Sequence, residues 1–316
     1  MAPAGRRVAR RGAALAAAVA CAVIAVQGQA PDDIRSRIER RLSLFRGTMG
    51  VSAVNLATGE RIDVNAALRF PTASLIKVAV LVEVAHQIAD GRLARDTPVT
   101  LQASDKVGDE PVVLNQLHDG LVLTVGDLMA LMIAFSDNTA TNMLIARAGT
   151  ANVNARMDGY GLKELRLFRP TFRDGRADVL PDLEREFGLG MTTPRDIAAL
   201  FVALADGKVV SRAVSDDLLA IMERTQDRAM IPRHLPYDRE RLRVANKTGW
   251  DEEKQAGRFG HKGHVRTDAA YVRGEKARYV IAICARDVYD RDWGVDNDAL
   301  RVGAAIARDV HEHFSR

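Results

Sequence analysis

Three short clusters of reactive side chains occur in order along the chain: Ser74-Leu75-Ile76-Lys77, Ser136-Asp137-Asn138 and Lys247-Thr248-Gly249. A serine hydroxyl becomes a nucleophile when a nearby base can take its proton. A spacing of three puts Ser74 and Lys77 on one helix face, one turn apart. Pro71 suits the first turn of that helix, so Ser74 is expected near a helix N-terminus, whose positive end favours a developing oxyanion. The residues that follow, Val78-Ala79-Val80-Leu81-Val82, are apolar, so Lys77 is expected to be desolvated. Burial disfavours the ammonium and frees an amine lone pair. Ser136-Asp137-Asn138 would present a second hydroxyl and an amide across a cleft, with Asp137 capping the next helix. Lys247-Thr248-Gly249 would end an edge strand, where cation and hydroxyl suit a substrate carboxylate and the glycine permits close backbone approach. With nine Ser and eight Lys in 316 residues, chance placement gives about 0.2 Ser-x-x-Lys pairs. The ordered set of three is what carries information.

The elements that must hold these groups follow from periodicity. Ile34, Ile38, Leu42 and Phe45 make a stripe on a charged helix over 32–45, ended by Gly47. Val51 to Leu56 and Arg61 to Val64 read as strands joined at Ala57-Thr58-Gly59-Glu60. Residues 74–89 are apolar nearly all round, which predicts a buried central helix. Thr124 with Asp127 opens a helix reaching Ala134. Asn138 to Ala148 forms another, stopped by Gly149, and Thr193 caps one that starts at Pro194. Strands return over Leu242 to Thr248, Val265 to Val272 and Ala277 to Ala285, the last two joined at Gly274-Glu275. A final helix carries Leu300, Ile306, Val310 and Phe314. The expected fold is α+β: one antiparallel sheet formed by both chain ends (about 31–70 and 235–316), flanked by terminal helices, with an all-α layer (about 71–234) inserted.

With these motifs in place the sequence resembles the serine β-lactamase and penicillin-binding-protein superfamily, in particular its class A β-lactamase branch. The resemblance spans nearly all of the chain after the N-terminal segment. It extends to Phe70-Pro71-Thr72-Ala73 before Ser74, to Asp119-Gly120, to Thr139-Ala140-Thr141-Asn142 after the second motif, and to Thr192-Thr193-Pro194. It implies an exported serine hydrolase that opens β-lactam amides through an acyl-enzyme on Ser74. Lys77 would be the base or proton relay, and Ser136 would pass a proton to the leaving nitrogen. Asn138 would hold Lys77 and the substrate's side-chain amide. Lys247, Thr248 and Gly249 would bind the carboxylate end, and the backbone N–H groups of Ser74 and Trp250 would form the oxyanion hole. Arg266 is the nearest candidate for the family's carboxylate-binding arginine, and His264 the next.

The sequence departs from the family pattern in several places. The family's loop after the second motif carries a glutamate that activates the deacylating water. Here the stretch reads Arg166-Leu167-Phe168-Arg169-Pro170-Thr171-Phe172, with Thr171 where the glutamate is expected. The extended stretch to Thr192 offers Asp174, Asp178, Asp182, Glu184 and Glu186, of which Glu184 and Glu186 are the first substitutes to consider. Gly108-Asp109-Glu110-Pro111 stands where an aromatic usually walls the cleft, and Trp250 to Gly257 reads as a long charged turn. These departures leave two other functions open. One is a related hydrolase acting on another amide or ester, such as a cell-wall peptide. The other is a sensor acylated by penicillins without turnover.

Composition narrows the classes further. At 47% apolar and 27% charged, disorder, collagen and coiled coil are excluded. Arg6, Arg7, Arg10 and Arg11 precede an apolar stretch from Ala13 to Val26, and Gly28-Gln29-Ala30 fits a cleavage site, so residues 1–30 are expected to be an export signal. An uncleaved anchor, or a lipid anchor on Cys21, are the alternatives; the expected location is periplasmic or secreted. Residues 1–30 hold four Arg and no acid, so the formal charge of +4 falls to 0 without them, which argues against a nucleic-acid partner. Cys284 then stands alone and is read as a buried inert thiol. His261 with His264 and His311 with His313 are read as ordinary histidines, and no metal or cofactor is expected. The expected partner is a small β-lactam or peptide-like substrate. A monomer without stable membrane insertion is expected.

Overall fold

The computed structural model describes residues 33–108, 112–236 and 241–316. The expected export signal, Cys21, and residues 109–111 of the expected cleft wall lie outside them. The chain opens with helix α1 (Ile34–Ser43) and a hairpin of β1 (Thr48–Asn55) and β2 (Arg61–Val64). After the short strand β3 (Phe70–Pro71), a 3₁₀ turn over Ala73–Ile76 leads into α2 (Lys77–Ala89). The strands β4 (Pro98–Thr100) and β5 (Val122–Thr124) precede the helices α3 (Val125–Ala134), α4 (Asn138–Ala148) and α5 (Thr150–Gly159). Then come β6 (Arg166–Leu167), α6 (Pro181–Phe187), β7 (Gly190–Thr192), α7 (Pro194–Ala205) and α8 (Arg212–Met222). Three long strands, β8 (Leu242–Ala256), β9 (Lys262–Gly274) and β10 (Arg278–Val288), and helix α9 (Asp298–Phe314) finish the chain.

The main sheet has the order β2-β1-β10-β9-β8, antiparallel throughout. It is built from both chain ends, with the helical block between them in sequence, as the periodicity implied. Strand side chains alternate faces, and β10 shows the division. Tyr279, Ile281, Ile283 and Ala285 pack with Ile38 of α1 and with Ile306 and Val310 of α9. Val280, Ala282 and Cys284 join the helical layer with Leu81, Leu144 and Phe201. A strand buried on both faces reads as a continuous apolar run. The Cys284 thiol is fully buried there, and burial pushes its pKa up, as expected of an inert cysteine.

Helix α2 is buried along its whole length apart from His86, Ile88 and Ala89, and it threads the helical layer. Its one acid, Glu83, is buried and satisfied by Arg156 Nε at 2.9 Å and by Gln87 Nε2 at 2.7 Å. Pro71 does not open this helix. It lies in β3, paired with Met191, and the Thr72 N–H is held by Gly190 O at 2.9 Å, so the chain cannot turn before Ala73. A second difference concerns residues 250–256. They form no turn; β8 runs on to Ala256 because β9 begins as early as Lys262 and gives them a partner strand, with a register shift between Glu252 and Ala256.

Strand β8 presses directly on the Ser74 turn. A Cβ on Gly249 would lie 2.5 Å from Thr72 O, 2.6 Å from Thr267 Oγ1 and 2.8 Å from the Leu75 nitrogen. Two of those atoms are backbone and cannot swing aside. Gly249→Ala is therefore expected to destabilise the fold by about 1–3 kcal/mol through overpacking, measured as a lowered midpoint in urea. A midpoint equal to wild type would show that the strand and turn separate without cost.

Candidate active site

Ser74 sits half-buried in the 3₁₀ turn, behind Ala73, which has a φ of +45°. A non-glycine residue in that region is strained, and such strain clusters at functional sites. The turn is clamped from both sides. Leu75 N donates to Thr72 O at 3.1 Å, and Thr267 Oγ1 of β9 donates to the same oxygen at 2.9 Å.

Lys77 is fully buried, as the apolar run implied. Its Nζ donates to Ser136 O at 2.7 Å, to Asn138 Oδ1 at 2.7 Å and to Ser136 Oγ at 3.1 Å. Ser136 can offer both oxygens because its φ is +56°, which turns the α3–α4 connection sharply toward α2. Asp137 behind it is buried and structural. Its carboxylate accepts from Ala140 N and Leu114 N, both at 2.8 Å, so the capping role expected of it and the placement of its two neighbours hold together.

Lys247 approaches from the opposite wall. Its Nζ donates to the same Ser136 Oγ at 3.1 Å and to Thr248 O at 2.6 Å. Complete burial lowers its pKa to about 8, although Asp227 and Asp268 pull the other way. Asp268 itself is pushed up to about 8 by burial, with Ile231 N and Asn246 Nδ2 donating to it. Ser74, Ser136, Asn138, Lys247, Thr248 and Trp250 line one cavity of about 240 Å³. All three motifs thus meet in one cleft.

Arg266 lies opposite Trp250 in the β8–β9 ladder and shares a cavity of about 290 Å³ with Thr248, Gly249 and Trp250. Its guanidinium is already engaged, donating to Val265 O at 3.0 Å and Asp292 O at 3.0 Å and lying 3.2 Å from His264 Nδ1. Burial lowers its pKa to about 10. Burial and the Arg266 charge also lower the pKa of His264, which favours the neutral ring. Trp293, from the loop before α9, packs on this pair with its ring 4.0 Å from that of His264. Nothing local in the sequence marks Trp293; only the fold brings it beside Trp250, at a centroid distance of 5.6 Å.

The loop between β6 and β7 crosses the cleft with Thr171 at its inner side. Thr171 is buried and lines a cavity of about 330 Å³ with Ser74 and Asn138. Its N and Oγ1 both donate to Asn142 Oδ1, at 2.8 and 2.9 Å, and Asn142 Nδ2 returns a bond to Thr171 O at 3.2 Å. Asn142 belongs to the stretch that carries the family resemblance but has no role assigned from sequence; its spacing of four from Asn138 puts both on one face of α4. The two glutamates first considered as substitutes lie elsewhere. Glu184 is buried against Arg169, which donates to it at 2.8 Å, and it also accepts from Gly175 N. Glu186 faces Arg286, in a cavity of about 910 Å³ that holds none of the three motifs. Asp178 accepts from Thr150 Oγ1 and Asp182 pairs with Arg185. Asp174 alone of the five lines the Ser74 cavity, paired with Arg169 and with Lys254 at 3.4 Å.

Comparison with known proteins agrees with this geometry. Residues 33–314 match the family described as "Beta-lactamase enzyme family". The β-lactamase CARB-3 of Pseudomonas aeruginosa is 27% identical over 294 residues, covering 91% of this chain and 92% of that protein. The crystal structure of a β-lactamase from Sphaerobacter thermophilus superposes with a TM-score of 0.73 at 28% identity, covering 89% of this chain and 96% of that one. A mutant of PBP-A, in an acyl-enzyme complex with penicillin G, superposes with the same score at 27% identity and the same coverage.

The lowered pKa of Lys247 has a measurable consequence. Below pH 8 its ammonium is present and can attract a ligand carboxylate; as pH rises through about 8 the charge is lost. Affinity for a carboxylate-bearing ligand is expected to fall with a midpoint near pH 8. Lys247→Met should flatten that profile. A fall centred near 10.5 would show that Lys247 keeps the pKa of a solvated lysine.

Proposed function

The chain belongs to the β-lactamase enzyme family, and from that premise we propose that it opens β-lactam rings by acylating Ser74. The observation that carries this reading is the Ser136 hydroxyl, 3.1 Å from both Lys77 Nζ and Lys247 Nζ, in the cavity that Ser74 lines. In the proposed step Ser74 Oγ attacks the ring carbonyl and its proton passes to Lys77. The C–N bond breaks as Ser136 Oγ delivers a proton to the ring nitrogen and is resupplied from Lys77. Lys247 and Thr248 hold the substrate carboxylate, with Arg266 behind them. Asn138 takes the side-chain amide, and the backbone N–H groups of Ser74 and Trp250 take the developing oxyanion, a contribution that is often among the largest.

Deacylation is proposed to be slow. It needs a base beside the ester, and the Thr171 hydroxyl is both a weak base at neutral pH and committed to Asn142. Three carboxylates line the cavity and each is already paired, Asp174 with Arg169 and Lys254, Asp251 with Lys254 at 3.5 Å and Glu252 with Arg291 at 3.5 Å. A missing general base costs about 10² to 10⁴-fold. This supports a second reading, a penicillin-binding sensor that holds its adduct without turnover; among the structural relatives, a PBP-A mutant is described as an acyl-enzyme complex with penicillin G.

Residues 1–30 are proposed to direct export and to be removed, so protein from its native host should start near Pro31. N-terminal sequencing that finds Met1, or a lipid on Cys21, would overturn this.

Intact mass spectrometry after exposure to benzylpenicillin tests the main proposal. An adduct of one penicillin is expected, absent in Ser74→Ala and strongly slowed in Lys77→Ala. Its decay should be slow in the wild type and faster by about 10²-fold or more in Thr171→Glu. An adduct that persists in Ser74→Ala would sink the assignment of the nucleophile. Rapid multiple turnover by the wild type, unaffected by Asp174→Asn, would show that the hydrolytic water is activated from elsewhere.

A further inference from the structure

Aromatic residues make up only 5% of the chain, yet they gather at the mouth of the cleft. Phe172, Trp250 and Trp293 are each 51–53% exposed, and all three line the cavity that holds Ser74. Single exposed apolar side chains need no explanation, but a cluster at a concave site marks a binding surface.

Each ring is held in place. Phe172 has a φ of +56°, an outlier for a bulky side chain. Its ring lies against the bare face of Gly108, where a Cβ would sit 3.2 Å from Phe172 Cε1. Trp293 stands edge-on to Trp250 at 5.6 Å and 69°. The tilted His264 ring lies 4.0 Å from it and the Arg266 guanidinium lies over it at 4.8 Å. The backbone beneath it is tied down, since Arg266 Nη2 and Asn297 Nδ2 both donate to Asp292 O, at 3.0 and 2.9 Å. Rigid aromatic faces of this kind recognise planar groups by stacking and edge-on contact.

Asn138, proposed to take the substrate's side-chain amide, lines the same cavity as Phe172, Trp250 and Trp293, so a side chain leaving that amide enters the space these rings line. We infer that these three residues form an aromatic slot that selects β-lactams whose acyl side chain ends in an aromatic ring, with Trp293 as the main specificity residue. This rests on the acylation of Ser74 proposed above.

The test compares acylation rates for two penicillins that share a nucleus, one with a benzyl and one with an n-pentyl side chain. The wild type is expected to favour the benzyl compound by roughly 3- to 10-fold beyond the difference in their apolar areas. Trp293→Ala should reduce that ratio to within about 2-fold while sparing the pentyl compound, and Trp293→Phe should keep most of it. Binding gives a second readout. Trp250 and Trp293 are the only tryptophans in the chain, so protein fluorescence reports on this slot, and phenylacetamide should perturb it where hexanamide does not. Equal acylation by both penicillins, or a Trp293→Ala variant that slows both alike, would overturn the slot. If no penicillin leaves a mass on Ser74, the proposed function has failed instead. The fluorescence titration then decides the slot alone: a response to phenylacetamide upholds it, and no response removes it.

Discussion

One hydroxyl between two buried lysines organises this molecule. Lys77 and Lys247 are both removed from solvent, and each comes within 3.1 Å of Ser136 Oγ. Burying a lysine amine is costly unless acceptors surround its N–H groups. The fold meets the demand with Ser136 O, Asn138 Oδ1 and Thr248 O, at 2.6–2.7 Å. These acceptors come from the α3–α4 connection, the first residue of α4 and β8, and the lysines from α2 and β8. The positive φ of Ser136, the close approach at Gly249 and the burial of α2 all serve to bring these segments to one point.

The chemistry of that point was legible in the sequence because it is written in contiguous motifs. Ser74 with Lys77, Ser136 with Asn138, and Lys247 with Thr248 each lie within four residues, and local periodicity places each on the right element. The sheet was legible for the same reason, since the apolar run at 279–285 must be buried on both faces. What was not legible depends on long-range pairing. Trp250 to Gly257 looks like a charged turn until β9 is found to supply a ladder beside it as far as Ala256. Glu184 looks like a spare carboxylate until Arg169 is found buried against it. Sequence shows which charges exist; only the fold shows which are already neutralised. Trp293 is the extreme case, since it reaches the cleft through the β10–α9 loop and no nearby residue announces it.

The loop over the cleft shows how a site can keep its shape while its chemistry changes. Arg169 and Glu184 form a buried pair, Thr150 holds Asp178, and Asn142 holds Thr171 through three bonds. Removing one member of a buried pair generally costs several kcal/mol, so the path of the loop is strongly fixed. The identity of the side chain at 171 is much less so, because Asn142 reads mainly the backbone there.

The sheet also sets a timetable. Thr48 of β1 pairs with Arg286 of β10, and Asn55 with Tyr279, so a strand made early must wait for one made near the end. At roughly 5–20 residues per second, that wait is of order ten seconds or longer. Throughout it the central position of the sheet is vacant, and β1 has only β2 beside it. A partly synthesised chain therefore cannot close its core. The polypeptide stays threadable, and exposed to chaperones and proteases, until almost its last helix has emerged.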